Sequence, residues 1–180
     1  MDILAHALWA GAGIHLARRR IAATRPMVAA GVAMAVLPDV VQALPVLGWA
    51  LLGDGSLAAL VAYVFAAPGS EPAMPAMVGW LSHHLHCVTH SAVVAGAVTL
   101  LARPLWRTAG AALLGWWSHI VIDVFTHSAE FYAVPVFYPI TMRGFDGIAW
   151  NEPWFMAANY AALGLMGLWL LLRGRLREGG

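Results

Sequence analysis

The chain has 180 residues, of which 61% are hydrophobic and 11% charged; soluble domains run near ~45–50% and ~25%, so an ordinary soluble globular protein is excluded, and so is a disordered one. The length suits a single domain, 1–180. Net charge is +1 with every basic residue an Arg, and a single Cys permits neither an internal disulfide nor a CxxC zinc site; nothing in this balance points to a nucleic-acid partner.

Five apolar stretches approach the about 20 residues that a membrane-crossing helix needs. They predict an all-α fold, a polytopic membrane helical bundle of about five transmembrane helices plus a short re-entrant or interfacial helix. Ile3–Ala17 is short, and no basic region precedes it as one would in a cleavable signal peptide. Met27–Ala50 is long enough but contains Pro38, Asp39 and Pro45, which predict a helix break or a new N-terminus at Pro38-Asp39. Ser56–Ala67 is too short to span. Met77–Leu101 reads as one long span, and Thr108–Phe125 and Pro153–Leu172 as two near the minimum. No internal repeat or low-complexity linker divides the chain.

Arginine sets the expected orientation. Arg18, Arg19, Arg20 and Arg25 follow the first stretch, Arg103 and Arg107 separate the third from the fourth, and Arg173, Arg175 and Arg177 follow the last. With five crossings all three clusters fall on one side, which the positive-inside rule makes cytoplasmic. The opposite loops, Gly53–Pro75 and His127–Glu152, hold most of the acids, with Arg143 their only base. Trp80, Trp150 and Trp154 would mark the outer interface, and Trp106 and Trp169 the inner one.

An ionisable group at membrane depth costs roughly 2.5–3.5 kcal/mol on insertion scales, so those retained there need partners or a metal. His86 and His90 are spaced i, i+4 and share a helix face, the spacing by which a helix offers two imidazoles to one ion. His119 and Asp123 repeat that spacing with a nitrogen and an oxygen donor, a mixture that suits zinc, manganese or iron. Asp39 lies in the outer half of its span, and His6 near the outer end of the first. Counted inward at ~1.5 Å per residue, all six can meet in the outer half of the bilayer. The plain alternatives are a hydrogen-bonded polar core, an N-cap for Asp39 and an interfacial residue for His15. His127 extends the face of Asp123, and Glu130 lies close enough in sequence for acid–base work, although both also read as loop residues. Cys87 reads as a small apolar filler. The loop His127–Glu152, with Tyr132, Phe137, Tyr138 and Trp150, is long enough to be a lid.

At these residues the chain resembles the membrane-bound metal-dependent hydrolases of bacterial inner membranes. The matching pieces are the early His6, Pro38-Asp39, Thr89-His90-Ser91, the run Gly115–Thr126 containing His119 and Asp123, and Tyr138-Pro139. They cover about three quarters of the chain. Leu85 stands where many members carry a His, so His90 carries over while His86 rests on its helical face. A more distant likeness to zinc phospholipase C-like enzymes implies phosphoester or lipid substrates, by analogy of family alone.

Together these readings predict an enzyme that hydrolyses an ester or phosphoester through metal-activated water. Its ligands would come from His6, Asp39, His86, His90, His119 and Asp123, holding one or two divalent ions, zinc foremost, with His127 and Glu130 as catalytic candidates. Its partners would be the bilayer and a lipid substrate. The competing readings are a metal transporter or sensor, which needs ligands along a whole transmembrane path, and a structural metal or polar core without turnover.

Overall fold

A computed structural model describes residues 1–18 and 20–178, with side chains as far as Arg173. Arg19 and the side chains of Arg175 and Arg177, three members of the arginine clusters, lie outside the described residues. Among the described residues the regular structure is helical: α1 (Ile3–Ala17), α2 (Arg25–Leu52), α3 (Leu57–Val64), α4 (Ala76–Thr89), α5 (Ala92–Leu101), α6 (Trp106–Thr126) and α7 (Pro153–Glu178). A 3-10 turn, Arg103–Leu105, leads into α6. An isolated bridge joins Ser128 to Phe131.

Three of these segments are long and apolar enough to cross a membrane: Arg25–Leu52, Arg103–Thr126 and Pro153–Arg173. Of the about five crossings expected from the sequence, two are not single helices of spanning length. The α1 helix has 15 residues, or about 22 Å of rise against about 30 Å of hydrocarbon. The expected span Met77–Leu101 is two helices, α4 and α5, bent by 59° at His90-Ser91. Side chains end one helix and begin the other. Thr89 Oγ1 donates back to the Leu85 carbonyl at 2.7 Å. Ser91 Oγ accepts from the first free amides of α5, Val93 and Val94, at 3.1 and 3.2 Å. At Pro38-Asp39 the opposite happens, since α2 runs through both Pro38 and Pro45 without ending. An interior proline withdraws one N–H and loosens the preceding turn. In that turn the Ala35 carbonyl takes a hydrogen bond from His119 Nδ1 of α6 at 2.7 Å. The short helix expected within Ser56–Ala67 is α3, capped by Ser56 Oγ on the Ala59 amide.

The packing is inverted relative to a water-soluble protein. Many of the buried residues are small or polar, Ala5, Ala10, Ala35 and Ala95 beside His6, His90, His119 and Asp123, with a few larger apolar ones such as Leu113 and Ile120. The large apolar side chains point outward, with Leu52 91%, Phe65 83% and Leu101 82% exposed. So wide an apolar exterior needs a lipid or protein surround. Without a hydrophobic drive between helices in lipid, close backbone contact becomes the main cohesion. The central helix α2 lies against α6, α4 and α1. Its crossing with α6 is made by Gly31, Ala111 and Gly115: a Cβ on Gly31 would come within 2.7 Å of the Ala111 carbonyl oxygen, and one on Gly115 would overlap the Gly31 carbonyl. The α7 helix attaches through α1, where Trp9 Nε1 donates to Asn159 Oδ1 at 2.9 Å.

The segment 127–152 folds back over the end of α6. Gly147, Ile148 and Trp150 donate their amides to the carbonyls of His127, Phe125 and Thr126 at 2.8–3.0 Å. It also reaches the α4–α5 break: the Ala92 amide donates to the Val136 carbonyl at 2.8 Å, and Ser91 Oγ to the Tyr138 carbonyl at 2.5 Å. Tyr132 hydroxyl donates to Glu71 at 2.5 Å, joining this segment to the one before α4. That bond holds the Glu71 carboxyl below its usual range, with weak opposition from burial.

Two outcomes are expected. Gly115→Val should collide with the α2 backbone and destabilise the bundle by about 1–3 kcal/mol or more, seen as a lowered Tm in detergent, whereas Gly164→Ala, with open space around it, should melt like wild type. Because the Glu71 pKa is depressed on folding, its contact is complete above the ordinary Glu value and is lost as pH falls through the lowered one. Pepsin cleavage within 127–152 should therefore rise as pH drops below about 4, and Tyr132→Phe, which lacks the contact at every pH, should be cleaved at the raised level already above that pH; identical cleavage profiles for the two proteins would refute the role of this contact.

Candidate metal centre

Four side chains from three parts of the fold meet in the bundle: Asp39 of α2, His90 at the C-cap of α4, and His119 and Asp123 one turn apart on α6. One donor atom from each lies within 4.8 Å of all the others, and together they could hold a metal ion. Each position has a local cause. The break after Thr89 turns the His90 ring into the bundle instead of along a continuing helix. The i, i+4 spacing stacks His119 and Asp123 on the inner face of α6, and the small residues at the α2–α6 crossing bring Asp39 within reach.

The hydrogen bonds around the two imidazoles determine which nitrogens are free. A carbonyl oxygen only accepts, so each ring nitrogen facing one is assigned as N–H. His119 Nδ1 donates to the Ala35 carbonyl at 2.7 Å, and His90 Nδ1 to the His86 carbonyl at 2.9 Å. In the neutral rings both Nε2 atoms then carry lone pairs, and they face each other at 2.9 Å. Asp123 Oδ2 lies 3.3 Å from His90 Nε2 and 3.1 Å from His119 Nε2. Asp39 Oδ1 lies 3.7 and 3.9 Å from the same two atoms. Four acceptors facing inward repel one another unless a proton or a metal cation lies among them. Donors ~2.0–2.1 Å from a tetrahedral ion are about 3.3–3.4 Å apart, and the five distances above bracket that value. The other Asp39 oxygen, Oδ2, is buried and has no partner among the described residues. Donor chemistry, spacing and this orphan oxygen all fit a cation.

The remaining expected residues fall around the group, not within it. His6 was expected as a ligand; its Nε2 instead meets the other oxygen of Asp123, Oδ1, at 2.9 Å, and its ring stacks on His119 with centroids 3.9 Å apart. The Met1 amino group also reaches Asp123 Oδ1. His86 lies with its ring 4.1 Å from that of His90, but its Nδ1 donates to Gln42 Oε1 at 2.7 Å. Helical spacing put His86 on the same face as His90; the cap geometry of His90 separates their donor atoms. His127 is buried, and its Nδ1 donates to the Asp123 carbonyl at 3.0 Å. Burial lowers its pKa to about 4, so at neutral pH it is an uncharged imidazole. Glu130 is exposed on the turn between Ser128 and Phe131, and no bond joins it to the group among the described residues. His83 and Cys87 pair with each other, with Nε2 and Sγ 3.5 Å apart.

Gln42 is the participant that sequence reasoning missed. Its amide donates to Asp39 Oδ1 at 3.3 Å while its carbonyl oxygen accepts from His86. The available signal was an uncharged polar residue three positions after Asp39, on the same face of an apolar helix.

Compared with protein-family models, with curated proteins and with solved structures, the chain matches none.

Elemental analysis of the purified protein should find a bound transition metal. Removing a donor by His90→Ala, His119→Ala or Asp123→Asn should abolish it. His6→Ala and Gln42→Ala, which remove only a partner of a carboxylate, should weaken metal affinity by about 10- to 100-fold. Full metal retention in His119→Ala would refute this assignment.

Proposed function

We propose that this chain is a membrane-embedded, metal-dependent hydrolase acting on an ester or phosphoester, with lipids as the substrate class. The observation that carries this reading is the convergence of two imidazole nitrogens and two carboxylate oxygens inside an apolar helical bundle, with His90, His119 and Asp123 buried. Buried polar groups at such depth mark functional sites. The mixed N/O set favours zinc, with manganese or iron as alternatives.

Asp39, His90, His119 and Asp123 would hold the ion. When bound, a divalent cation there supplies Lewis-acid activation of water and of an ester or phosphoryl oxygen. The chain itself does the rest. The Ala35 and His86 carbonyls hold the two ligand rings in one tautomer. His6 and Gln42 hold the two carboxylates in place. His127, uncharged and, among the described residues, without a hydrogen bond at Nε2, would be the group to accept a proton at that atom; Glu130 is exposed and would not. The 127–152 segment is tied to α6 and to the α4–α5 break and would limit water at this end.

Depth supports a site on the side away from the arginines. From the arginine-bearing end the group lies about 18 Å along α1 (Arg18 to His6), about 21 Å along α2 (Arg25 to Asp39) and about 18 Å along α6 (Arg107 to His119). Across about 30 Å of hydrocarbon this is the far half. With the arginine end cytoplasmic, the site would face the non-cytoplasmic leaflet of a plasma membrane such as the bacterial inner membrane.

Purified protein loaded with zinc should turn over members of a phospholipid and phosphoester panel. His90→Ala should abolish that turnover, His127→Gln should lower kcat by about 10²–10⁴-fold, and Glu130→Gln should leave it within a few-fold. Stoichiometric metal with no turnover on any ester or phosphoester would sink the hydrolase reading and leave a structural or transport role for the same four residues.

A further inference from the structure

The end of the bundle away from the polar group carries two cavities that the proposed hydrolysis does not use. They flank the turn between α1 and α2, and Ala22 lines both. The larger, about 500 Å³, has Arg18, Arg25 and His15 in its wall. The smaller, about 220 Å³, is formed where that turn meets the start of α6, with Arg20 on one side and Arg107 on the other. Arg20 and Arg107 thus come from segments far apart in sequence and border one space.

No acidic residue lines either cavity. Among the described residues every ion pair joins a His or the amino terminus to Asp39 or Asp123, so these four guanidinium groups have no carboxylate partner. The turn that carries Arg20 is ordered by its own backbone: the Arg20 and Ile21 amides donate to the Ala17 carbonyl at 2.8 and 3.1 Å, and the Ala23 amide to the Arg18 carbonyl at 2.9 Å. Ala22 holds a positive φ of 50° to close it, a conformation that an L residue adopts only when its surroundings require it.

The smaller cavity has two kinds of wall. Arg20 and Arg107 in its wall are exposed, whereas the apolar Ile21, Met27 and Leu114 are half-buried and Ala111 is buried. Between Arg107 and Leu114 it extends about 10 Å along α6, toward the middle of the bundle. Guanidinium forks match phosphate oxygens. A free phosphate would have no use for the apolar wall, and an uncharged lipid none for the arginines.

We propose that this cleft binds an acidic phospholipid, with its phosphate between Arg20 and Arg107 and its glycerol and upper acyl chain against Ile21, Met27 and Leu114. It is a second site, independent of the metal group at the other end of the same helices, and its occupant belongs to the leaflet that the arginines face.

The test is lipid retention. Wild-type protein is reconstituted in nanodiscs of phosphatidylcholine mixed with phosphatidylglycerol, mildly delipidated and analysed by native mass spectrometry. Phosphatidylglycerol should be retained about tenfold over phosphatidylcholine, equivalent to about 1.4 kcal/mol. The double variant Arg20→Gln with Arg107→Gln should lose that preference, while Arg143→Gln, in the loop at the other end, should keep it. If the double variant does not fold, wild type still decides the matter, because retention by paired charges must fall as salt is raised. Equal retention of the two lipids by wild type, an unchanged preference in the double variant, or a preference insensitive to salt would overturn the proposal. Displacement of the lipid by inorganic phosphate alone would also overturn it, in favour of a soluble anion.

Discussion

A carboxylate enclosed by apolar helices is tolerable only if positive charge or hydrogen-bond donors reach both of its oxygens. Asp123, 1% exposed, meets that demand in two directions. Its Oδ1 takes His6 and the amino terminus, whereas its Oδ2 faces the Nε2 lone pairs of His90 and His119, and a cation held among these atoms would supply the missing charge. Satisfying this one side chain requires α1, α4 and α6 to present their polar residues at a common depth, and Asp39 brings α2 to the same point. The helix interruption at His90-Ser91 follows from the same need. A continuous α4–α5 helix would keep its backbone satisfied but would not turn the His90 ring into the bundle at its cap. The broken one relies on Ser91 and on the 127–152 segment for the amides and carbonyls that are set free.

Close packing and site chemistry are linked through the α2–α6 crossing. Gly31, Ala111 and Gly115 let the two backbones approach, and that approach brings the Ala35 carbonyl to His119 Nδ1. The hydrogen bond selects the tautomer whose Nε2 lone pair faces Asp39, His90 and Asp123. A bulkier crossing would separate the helices and leave that ring unoriented. The small residues of this chain therefore act on its chemistry through backbone distance, without touching the site themselves.

The scarce charges are divided by place. Asp39, Asp123, His90 and His119 meet within the bundle, and Arg18, Arg20, Arg25 and Arg107 gather at the end where α1, α2 and α6 come together. In a bilayer the proposed metal group and the proposed phosphate-binding cleft would lie in opposite leaflets. Its outer surface, dominated by Leu, Phe, Val and Trp, suits the lipid between them.

Composition alone determined that the chain is helical and apolar, since so few charges cannot clothe a soluble surface and lone apolar segments satisfy their backbones only as helices. Spacing alone placed His119 and Asp123 on one face, because helical period is a local property. Asp39 and His90 were also legible, as polar residues with no other reason to lie in apolar segments. What remained hidden depended on three dimensions. The sequence pattern suggested one span over Met77–Leu101 and a break at Pro38, whereas the chain breaks at Ser91 and runs on through Pro38. The caps and cross-helix bonds that decide this come from partners distant in sequence. The separation of His86 from the four-residue group, the entry of Gln42 and the meeting of Arg20 with Arg107 were likewise decided by tertiary contact. Each depends on how far and at what angle two helices lie apart, and periodicity within one helix carries no information about the next.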